Sequence, residues 1–410
     1  MANSSIPTFI LDTDHPWLSE NRPWLESYPD VANALSDKSS PLWTNPSPGH
    51  EIPADLFSRI NIDNNKPDVS RLGWDNAIAR LGELRSCAAA LQDVRYLHVY
   101  IFVHKGQVDN GLVDREMPSE LPGMFADVLA SMPHLERLDW GLDIEHTVAF
   151  GEEFARRNLI LPNVRHLIPG AGSHYLLPMC PALETLEAGS FFHHASWNEP
   201  ISVDQYSRRD LVRAASAASS LKEFTLLGGW STRMLEETEV FKAMPNLVKL
   251  SIDGALYSIE SPYEFEDLER ETWEEGELLK ANYDMCSIIK EPFILTKIQR
   301  YLSIISKFPK LEQLCLPESS ELELGFIGGS RCGNAYRGPK GKEYGRSVTR
   351  QSIEITELVG DMVIKAIPNL KILSIGNCQA TLIHNDNGDV EVVWPWTGRV
   401  EDYVSEAFPQ

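Results

Sequence analysis

The chain has 410 residues, of which 43% are hydrophobic and 23% are charged, a balance that allows a large buried core and excludes global disorder. Its formal net charge of −22 repels phosphate backbones and anionic lipids, so we expect neither nucleic acid nor a membrane surface as a partner. The six cysteines include no closely spaced pair, which predicts reduced thiols in an intracellular protein, cytoplasmic or nuclear.

The N-terminal segment, residues 1–50, is rich in Pro, Ser and Trp and contains Trp17, Trp24 and Trp43. It lacks a basic segment followed by a long apolar one, so we do not expect a secretory signal. No run of 18 apolar residues occurs in the chain, and we therefore expect no transmembrane helix. We interpret residues 1–50 as an irregular N-terminal cap, because three tryptophans favour burial, with disorder as the alternative.

One short pattern recurs between residues 51 and 380: an apolar residue, Pro, any residue, then Leu-x-x-Leu-x-apolar. Met132-Pro133 begins one complete copy, which continues through Leu135 and Leu138 to Trp140. The first apolar positions of the nine copies are residues 57, 94, 135, 164, 183, 221, 247, 311 and 370. A pattern repeated in this way predicts a stack of similar structural units.

Each copy combines two periodicities. The Leu-x-apolar part alternates, which predicts a short strand with one apolar face. The residues before the proline have apolar positions at helical spacing in four segments, which are Pro118–Met132, Met234–Met244, Ile298–Phe308 and Ile353–Ile367. Proline ends a helix, so each unit is interpreted as helix, proline corner and strand. Helical crossovers between strands predict parallel pairing, with the strands in one sheet.

This pattern resembles the irregular leucine-rich repeats of fungal F-box-like proteins, over roughly Leu56 to Ile375. The resemblance implies an α/β solenoid, or horseshoe, with a parallel sheet on the concave face and helices outside. The chain departs from the family because the Asn or Cys after the strand occurs only at Asn65 and Cys378. The spacing between copies is also irregular, since positions 164 and 183 are close together and positions 247 and 311 are far apart. An ordinary α/β domain is the alternative.

The segment Ile52–Ile60 resembles the opening of an F-box, the helical module that docks on the Skp1 adaptor. The leucine-rich helix and the Trp-containing end of that module are missing. The same residues fit the repeat through Phe57, Ile60 and Ile62, and we favour the repeat. The resemblance implies a protein-interaction module that serves as substrate receptor of an SCF-type ubiquitin ligase, with Skp1 and a ubiquitination substrate as partners. A structural scaffold without a ubiquitin link and an enzyme on an α/β fold are the alternatives.

Two insertions of opposite charge follow later copies. Residues 260–277 carry a net charge of −8, and residues 331–350, within a glycine-rich segment that begins near residue 325, carry +5. The glycines predict a flexible loop in the second insertion. The plain interpretation of both is solvated surface. The alternative is that they face each other or bind a charged partner.

The sequence contains no convincing catalytic, cofactor or metal motif. Gly333 and Gly338 are spaced as in a phosphate-binding loop, but Pro339 stands where that loop needs Lys. His193 and His194 are adjacent, so on a regular element they diverge rather than share a metal ion. Asn385–Asp389 lacks the spaced ligands of a calcium loop. We therefore predict no catalytic residues, no cofactor and no metal, and a protein that is not an enzyme.

The C-terminal segment predicts a hairpin. Thr381–Asp386 and Asp389–Trp394 alternate in polarity and flank Asn387-Gly388, which is a strong turn signal. We interpret residues 381–410 as a C-terminal cap on the last repeat.

The residues between the buried leucines must point to the other face of each strand. In the early copies we predict that they bind a protein partner; these residues are Arg59, Asn61, Tyr96, His98, Tyr100, Arg137, Asp139 and His166. Tyr, Arg and His anchor interfaces well, and the positive charge favours an acidic partner segment. The later copies contribute Thr185, Glu187, Glu223, Lys249, Ser251 and Gln313. A merely solvated face is the alternative.

Overall fold

The computed structural model describes residues 16–28, 30–45, 50–53, 55–63, 74–101, 107–108, 111–112, 116–188, 201–227, 230–231, 239–253, 256–257, 292–322, 324, 326, 328–330, 332–385 and 389–409. These residues fall into two compact units, Met1–Leu221 and Lys222–Gln410. Each unit contains strands and helices, so the chain is an α/β protein, as predicted.

Five strands of the first unit pair in chain order. They are β1 (Arg59–Asp63), β2 (Tyr96–Ile101), β3 (Arg137–Leu142), β4 (His166–Pro169) and β5 (Thr185–Ala188). Every neighbouring pair is parallel, and the strands start in register, so that Arg59, Tyr96, Arg137, His166 and Thr185 form one row across the sheet. The predicted parallel pairing of these copies is confirmed.

The second unit contains four parallel strands and a hairpin. Its strands are β6 (Glu223–Leu227), β7 (Lys249–Asp253), β8 (Gln313–Leu316), β9 (Ile372–Ile375), β10 (Cys378–His384) and β11 (Val390–Val393). Strands β6 to β9 pair parallel, whereas β9, β10 and β11 pair antiparallel. The predicted hairpin is thus confirmed, although Asn387-Gly388 lies outside the described residues. Short strands also pair at Gln107–Val108 with Gly111–Leu112, and at Trp230–Ser231 with Leu256–Tyr257.

Helices connect the parallel strands. The helices are α1 (Pro16–Glu20), α2 (Arg22–Leu25), α3 (Val31–Ser36), α4 (Pro41–Thr44), α5 (Asp75–Ser86), α6 (Ala88–Leu91), α7 (Leu121–Ala130), α8 (Thr147–Arg156), α9 (Ile201–Ala214), α10 (Val240–Ala243), α11 (Pro292–Ile305), α12 (Gly338–Ala366) and α13 (Val400–Ala407). Short 3₁₀ helices lie at Ile144–His146, Ser173–Met179, Ala215–Ala217, Ser319–Glu321 and Gly333–Tyr336. The four predicted helical segments correspond to α7, α10, α11 and the second half of α12. None of the helices in the described ranges combines the length and hydropathy needed to cross a bilayer.

The described part of the N-terminal segment forms α1 to α4. The Trp24 ring lies 5.3 Å from the ring of Tyr28 and 4.7 Å from that of His50, and Trp43 lies 6.2 Å from Phe57. Aromatic packing therefore joins α2 and α4 to the chain just before β1.

The proline of each corner occupies a reverse turn. The amide of Leu135 donates to the carbonyl of Met132 at 3.2 Å across Pro133, and the amide of Leu370 donates to the carbonyl of Ile367 at 3.3 Å in the same way. Because proline fixes its own φ, it favours the turn and directs the chain from helix into strand. The proline corner inferred from the sequence is confirmed at these positions.

A forked backbone hydrogen bond joins successive strands. The carbonyl of Arg95, just before β2, accepts from the amides of Glu136 and Arg137, at 2.8 and 2.9 Å. Within the described ranges the same fork recurs at the carbonyls of Ser58, Arg95, Glu136, Arg165, Lys222, Val248 and Glu312. Each of these carbonyls belongs to the residue just before a strand, so the fork joins the starts of neighbouring strands through the backbone alone.

The predicted flexible loop over residues 331–350 is wrong for residues 338–350, which belong to the long helix α12. A Cβ on Gly345 would lie 2.6 Å from the Phe408 ring, and one on Gly341 would lie 2.5 Å from the backbone of Tyr336. Arg346 donates to the Phe408 carbonyl at 2.8 Å. The glycines therefore allow close packing of the C-terminal segment on α12, and do not signal flexibility. The acidic insertion at residues 260–277 lies outside the described residues.

Candidate protein-binding surface

The eight residues predicted to bind a partner lie on one side of β1 to β4. Alternation along each strand and the register between strands bring them together, in rows that begin at Arg59 and Asn61. We call this surface the polar face; its members are Arg59, Asn61, Tyr96, His98, Tyr100, Arg137, Asp139 and His166. The leucines between them are buried on the opposite side. The sequence pattern therefore predicted which residues share this side.

Asp139 is the centre of the polar face. It is only 4% exposed, and its carboxylate accepts from the Tyr96 hydroxyl and from Arg137 Nε and Nη2, the last two at 2.9 and 3.2 Å. His98 Nδ1 lies 3.5 Å from the same carboxylate. A buried carboxylate with several donors is far better satisfied than one with a single partner. Asp139 therefore fixes the positions of its neighbours.

The pKa values agree with this description. Burial by itself raises the pKa of Asp139, but hydrogen bonds from His98, Arg137 and Tyr96 outweigh it and lower the pKa to about 2. Burial, followed by the hydrogen bond to the Asp139 carboxylate, raises the pKa of Tyr96 to about 12. The hydrogen bond to Asp139 also raises the pKa of Arg137. Asp139 is therefore ionised and Tyr96 neutral near pH 7, and the cluster presents fixed charges and donors.

Two arginines flank the ring of Tyr96. The guanidinium carbon of Arg137 lies 4.9 Å from the ring centroid, and that of Arg59 lies 5.3 Å from it. Both distances are within the range of cation–π attraction. The side chain of Arg137 is 40% exposed and Arg59 is exposed, so both cations reach solvent from a rigid support.

The carboxyl ends of the strands add an aromatic and apolar part to the face. The rings of His98 and Tyr100 stack at 6.2 Å with an interplanar angle of 10°. Tyr100 packs against the buried side chain of Ile168. Asn61 and His166 are half-buried in the rows formed by their strands. The polar face is therefore charged near the start of the strands and more apolar near their carboxyl ends.

Two residues that support the face were missed by the sequence analysis. Arg80, on α5, is buried and donates from Nη1 to the carbonyl of Asn61 at 3.1 Å. Ile168 occupies a position where alternation alone predicts a solvated side chain, yet it is 4% exposed. A buried arginine inside an amphipathic helix carries no local signal in the sequence, whereas the apolar residue in an otherwise polar row could have indicated a packed position.

The equivalent side of the second unit is electrically different. Lys249 and Glu223, which occupy the corresponding positions of β7 and β6, form an ion pair with Nζ and Oε2 3.1 Å apart. The charges of this lysine and glutamate cancel. In the first unit, by contrast, Arg59 and Arg137 lie near the buried carboxylate of Asp139. Of the residues proposed from the sequence, those of the first unit thus form the stronger candidate. No cluster of three His, Cys, Asp or Glu side chains suited to a metal ion was found within the described ranges.

We expect acid to weaken the first unit through Asp139. Its pKa falls from 3.8 to about 2 in the folded protein, so it stabilises the fold fully above the unfolded value and progressively less as the pH falls through the folded one. Urea unfolding followed by tryptophan fluorescence should show that the wild type loses about 2 kcal/mol more than Asp139→Asn between about pH 5 and pH 2. Glu152→Gln, an exposed position on α8, should retain the wild-type slope. A pH dependence unchanged in Asp139→Asn would contradict the assigned role.

Comparison with known proteins does not identify a family, so the class of this protein is described from its fold and its surface. No model of a known protein family matches the chain, and no curated protein is similar to it. The fold defines the chain as an α/β protein with mostly parallel strands in chain order, joined by helices, and the polar face is its candidate binding surface.

Proposed function

We propose that this chain is a non-catalytic protein-interaction module of the leucine-rich-repeat type, and that its polar face binds an acidic segment of a protein partner. The observation that carries the proposal is the pair of arginines around Tyr96, since the buried Asp139 holds both Tyr96 and Arg137 in place. Tyr and Arg are, with Trp, the residues that most often supply the binding energy of protein interfaces. Positive charge on a chain of net −22 would steer an acidic segment to this face.

The assignment as a repeat protein is supported by three features of the repeated segments. Helix, proline corner and strand recur in that order, successive strands pair parallel, and the forked hydrogen bond recurs at the same point of seven repeats in the described ranges. In a horseshoe built from such units, the sheet lines the concave side and the helices lie outside. The polar face of the first unit would then belong to the concave side, where partners of repeat proteins bind.

The module could be linked to ubiquitination or be independent of it. As substrate receptor of an SCF-type ubiquitin ligase it would bind Skp1 and a ubiquitination substrate, and as a structural scaffold it would bind neither. Arg59–Asp63 forms β1 and pairs parallel with β2, at a position where an F-box would continue as helices. This observation favours the scaffold. Co-purification of the full chain with Skp1 would support the receptor instead.

The proposal is tested by selecting peptides with the full chain from a random displayed library. We expect the selected peptides to be enriched in Asp and Glu. A variant carrying Tyr96→Ala, Tyr100→Ala and Arg137→Ala should bind them at least ~30-fold more weakly, because loss of an interface anchor costs about 2 kcal/mol or more. Circular dichroism would establish that the variant is folded.

A matched control removes three exposed side chains from helix α8. Val148, Glu152 and Arg156 lie one turn apart on its outer side, and their replacement by alanine also removes one arginine. This control should bind the selected peptides as the wild type does. Undiminished binding by the folded polar-face variant would contradict the proposal and direct attention to the charged insertions.

A further inference from the structure

The two arginines of the polar face stand on either side of one strand. In the parallel register, Arg59 on β1 and Arg137 on β3 are both direct neighbours of Tyr96 on β2. Their guanidinium carbons lie 5.3 and 4.9 Å from the same ring centroid, so both cations are held close to a single aromatic ring. The two arginines therefore border one small area of the polar face, next to the Tyr96 ring.

Both arginines retain donors for such an anion. Arg137 directs Nε and Nη2 to Asp139, which leaves its Nη1 group and the second N–H of Nη2 as a fork for a ligand. Arg59 packs on Tyr96 and forms no ion pair with a carboxylate in the described part of the chain. Two guanidinium charges lie near the buried carboxylate of Asp139, and the carboxylate of Glu187 acts on Arg137 from the neighbouring part of the sheet.

The number of donors and the charge distinguish between acidic ligands. A carboxylate carries a single negative charge on two oxygens. A phosphate monoester has three terminal oxygens and a charge of about −1.5 to −2 at pH 7, so it can accept from two guanidinium groups at once. Arginine is the residue suited to such bidentate recognition. Because Asp139 already fixes Arg137, little side-chain freedom is lost when the ligand binds.

We propose that the acidic partner is recognised through a phosphorylated serine or threonine, whose phosphate is held between Arg59 and Arg137. This inference rests on the proposed function, because it specifies the ligand of the same polar face. The rings of Tyr100 and His98 stack on each other, on the same side of the sheet as the two arginines. They would contact the residues next to the phosphorylated one.

The experiment compares three pools of soluble peptides that are identical except at one central position. That position is phosphoserine, glutamate or serine, and the flanking positions are random. We expect the full chain to retain the phosphoserine pool at least ~10-fold better than the glutamate pool, and the serine pool least, because the phosphate group offers one more oxygen and more charge than a carboxylate. Inorganic phosphate at millimolar concentration should compete with the phosphoserine pool.

Lysine substitutions separate bidentate recognition from simple charge. Arg59→Lys and Arg137→Lys keep the positive charge but lose the planar fork of donors, so each should reduce the preference for phosphoserine over glutamate at least ~5-fold. Arg156→Lys, on the outer side of α8, is the control and should leave this preference unchanged. Thermal unfolding of each variant checks that it is folded.

The outcomes distinguish this inference from the function on which it rests. Equal retention of the phosphoserine and glutamate pools, or a preference unaffected by both lysine variants, would overturn phosphate recognition and leave an acidic-segment binder. If the wild type retained none of the three pools while its variants remained folded, the polar face would not be a binding site for acidic segments, and both proposals would fail.

Discussion

Replacing Trp140 with alanine is expected to lower the free energy of unfolding of the first unit by about 3–5 kcal/mol. The Trp140 ring is fully buried and lies 5.1 Å from the ring of Phe125 and 5.7 Å from that of Phe150. Its Nε1 donates to the Tyr175 hydroxyl at 3.0 Å. The substitution therefore leaves a large cavity and also removes the donor from a buried hydroxyl, and these two costs act in the same direction.

Chemical denaturation followed by circular dichroism measures this loss. Trp140→Phe should cost less than Trp140→Ala, because it keeps most of the ring packing and removes chiefly the indole and its hydrogen bond. Val148→Ala is the control, since Val148 is 67% exposed, and should change the stability by no more than about 0.5 kcal/mol. A cost below about 1 kcal/mol for Trp140→Ala would show that the aromatic cluster does not hold the unit together.

The buried leucines of the strands are expected to be almost as sensitive. Leu314 on β8 and Leu373 on β9 are register partners and fully buried. Replacing either one with alanine should cost about 2–5 kcal/mol. Leu138 and Leu250 hold the equivalent positions of β3 and β7 and are also buried. Because each strand pairs only with its neighbours, the damage should remain local.

Hydrogen exchange tests both the size and the location of this effect. In Leu314→Ala, amide protection should fall first in β7, β8 and β9, which are joined by direct pairing. The adjacent half-buried residue Gln313 provides the control, and Gln313→Ala should leave protection nearly unchanged. A cost below about 0.5 kcal/mol at most of these leucines would contradict their role in the core.

Local patterns in the sequence predicted the strands and their faces well. Leu-x-x-Leu-x-apolar specifies which side chains are buried, and burial of Leu138 and its equivalents fixes the register, since a shift by one residue would expose all of them. The proline corners likewise mark where each helix must end. These features depend on neighbours in the sequence, so they can be inferred without a structure.

Features that depend on distant residues could not be predicted in this way. Asp139 resembles any polar strand residue in the sequence, and only the pairing of β2 with β3 brings Tyr96 and His98 to its carboxylate. Gly345 resembles a loop residue until Phe408 is seen to pack against it. In both cases the partner is far away along the chain, and the local sequence carries no record of it.

The forked hydrogen bond has a consequence for how such a chain can change. Its acceptor is always a backbone carbonyl, and the residues that supply it range from Ser58 to Arg95, Glu136 and Val248. No particular side chain is required at that position, so residues other than proline, which lacks the amide donor, can replace one another there without loss of the joint between strands. The spacing between copies can also grow, because the fork uses only the carbonyl before one strand and the two amides at the start of the next. Lineages of this protein can therefore lengthen a connecting segment to suit a new partner while the strand-to-strand joint is inherited intact.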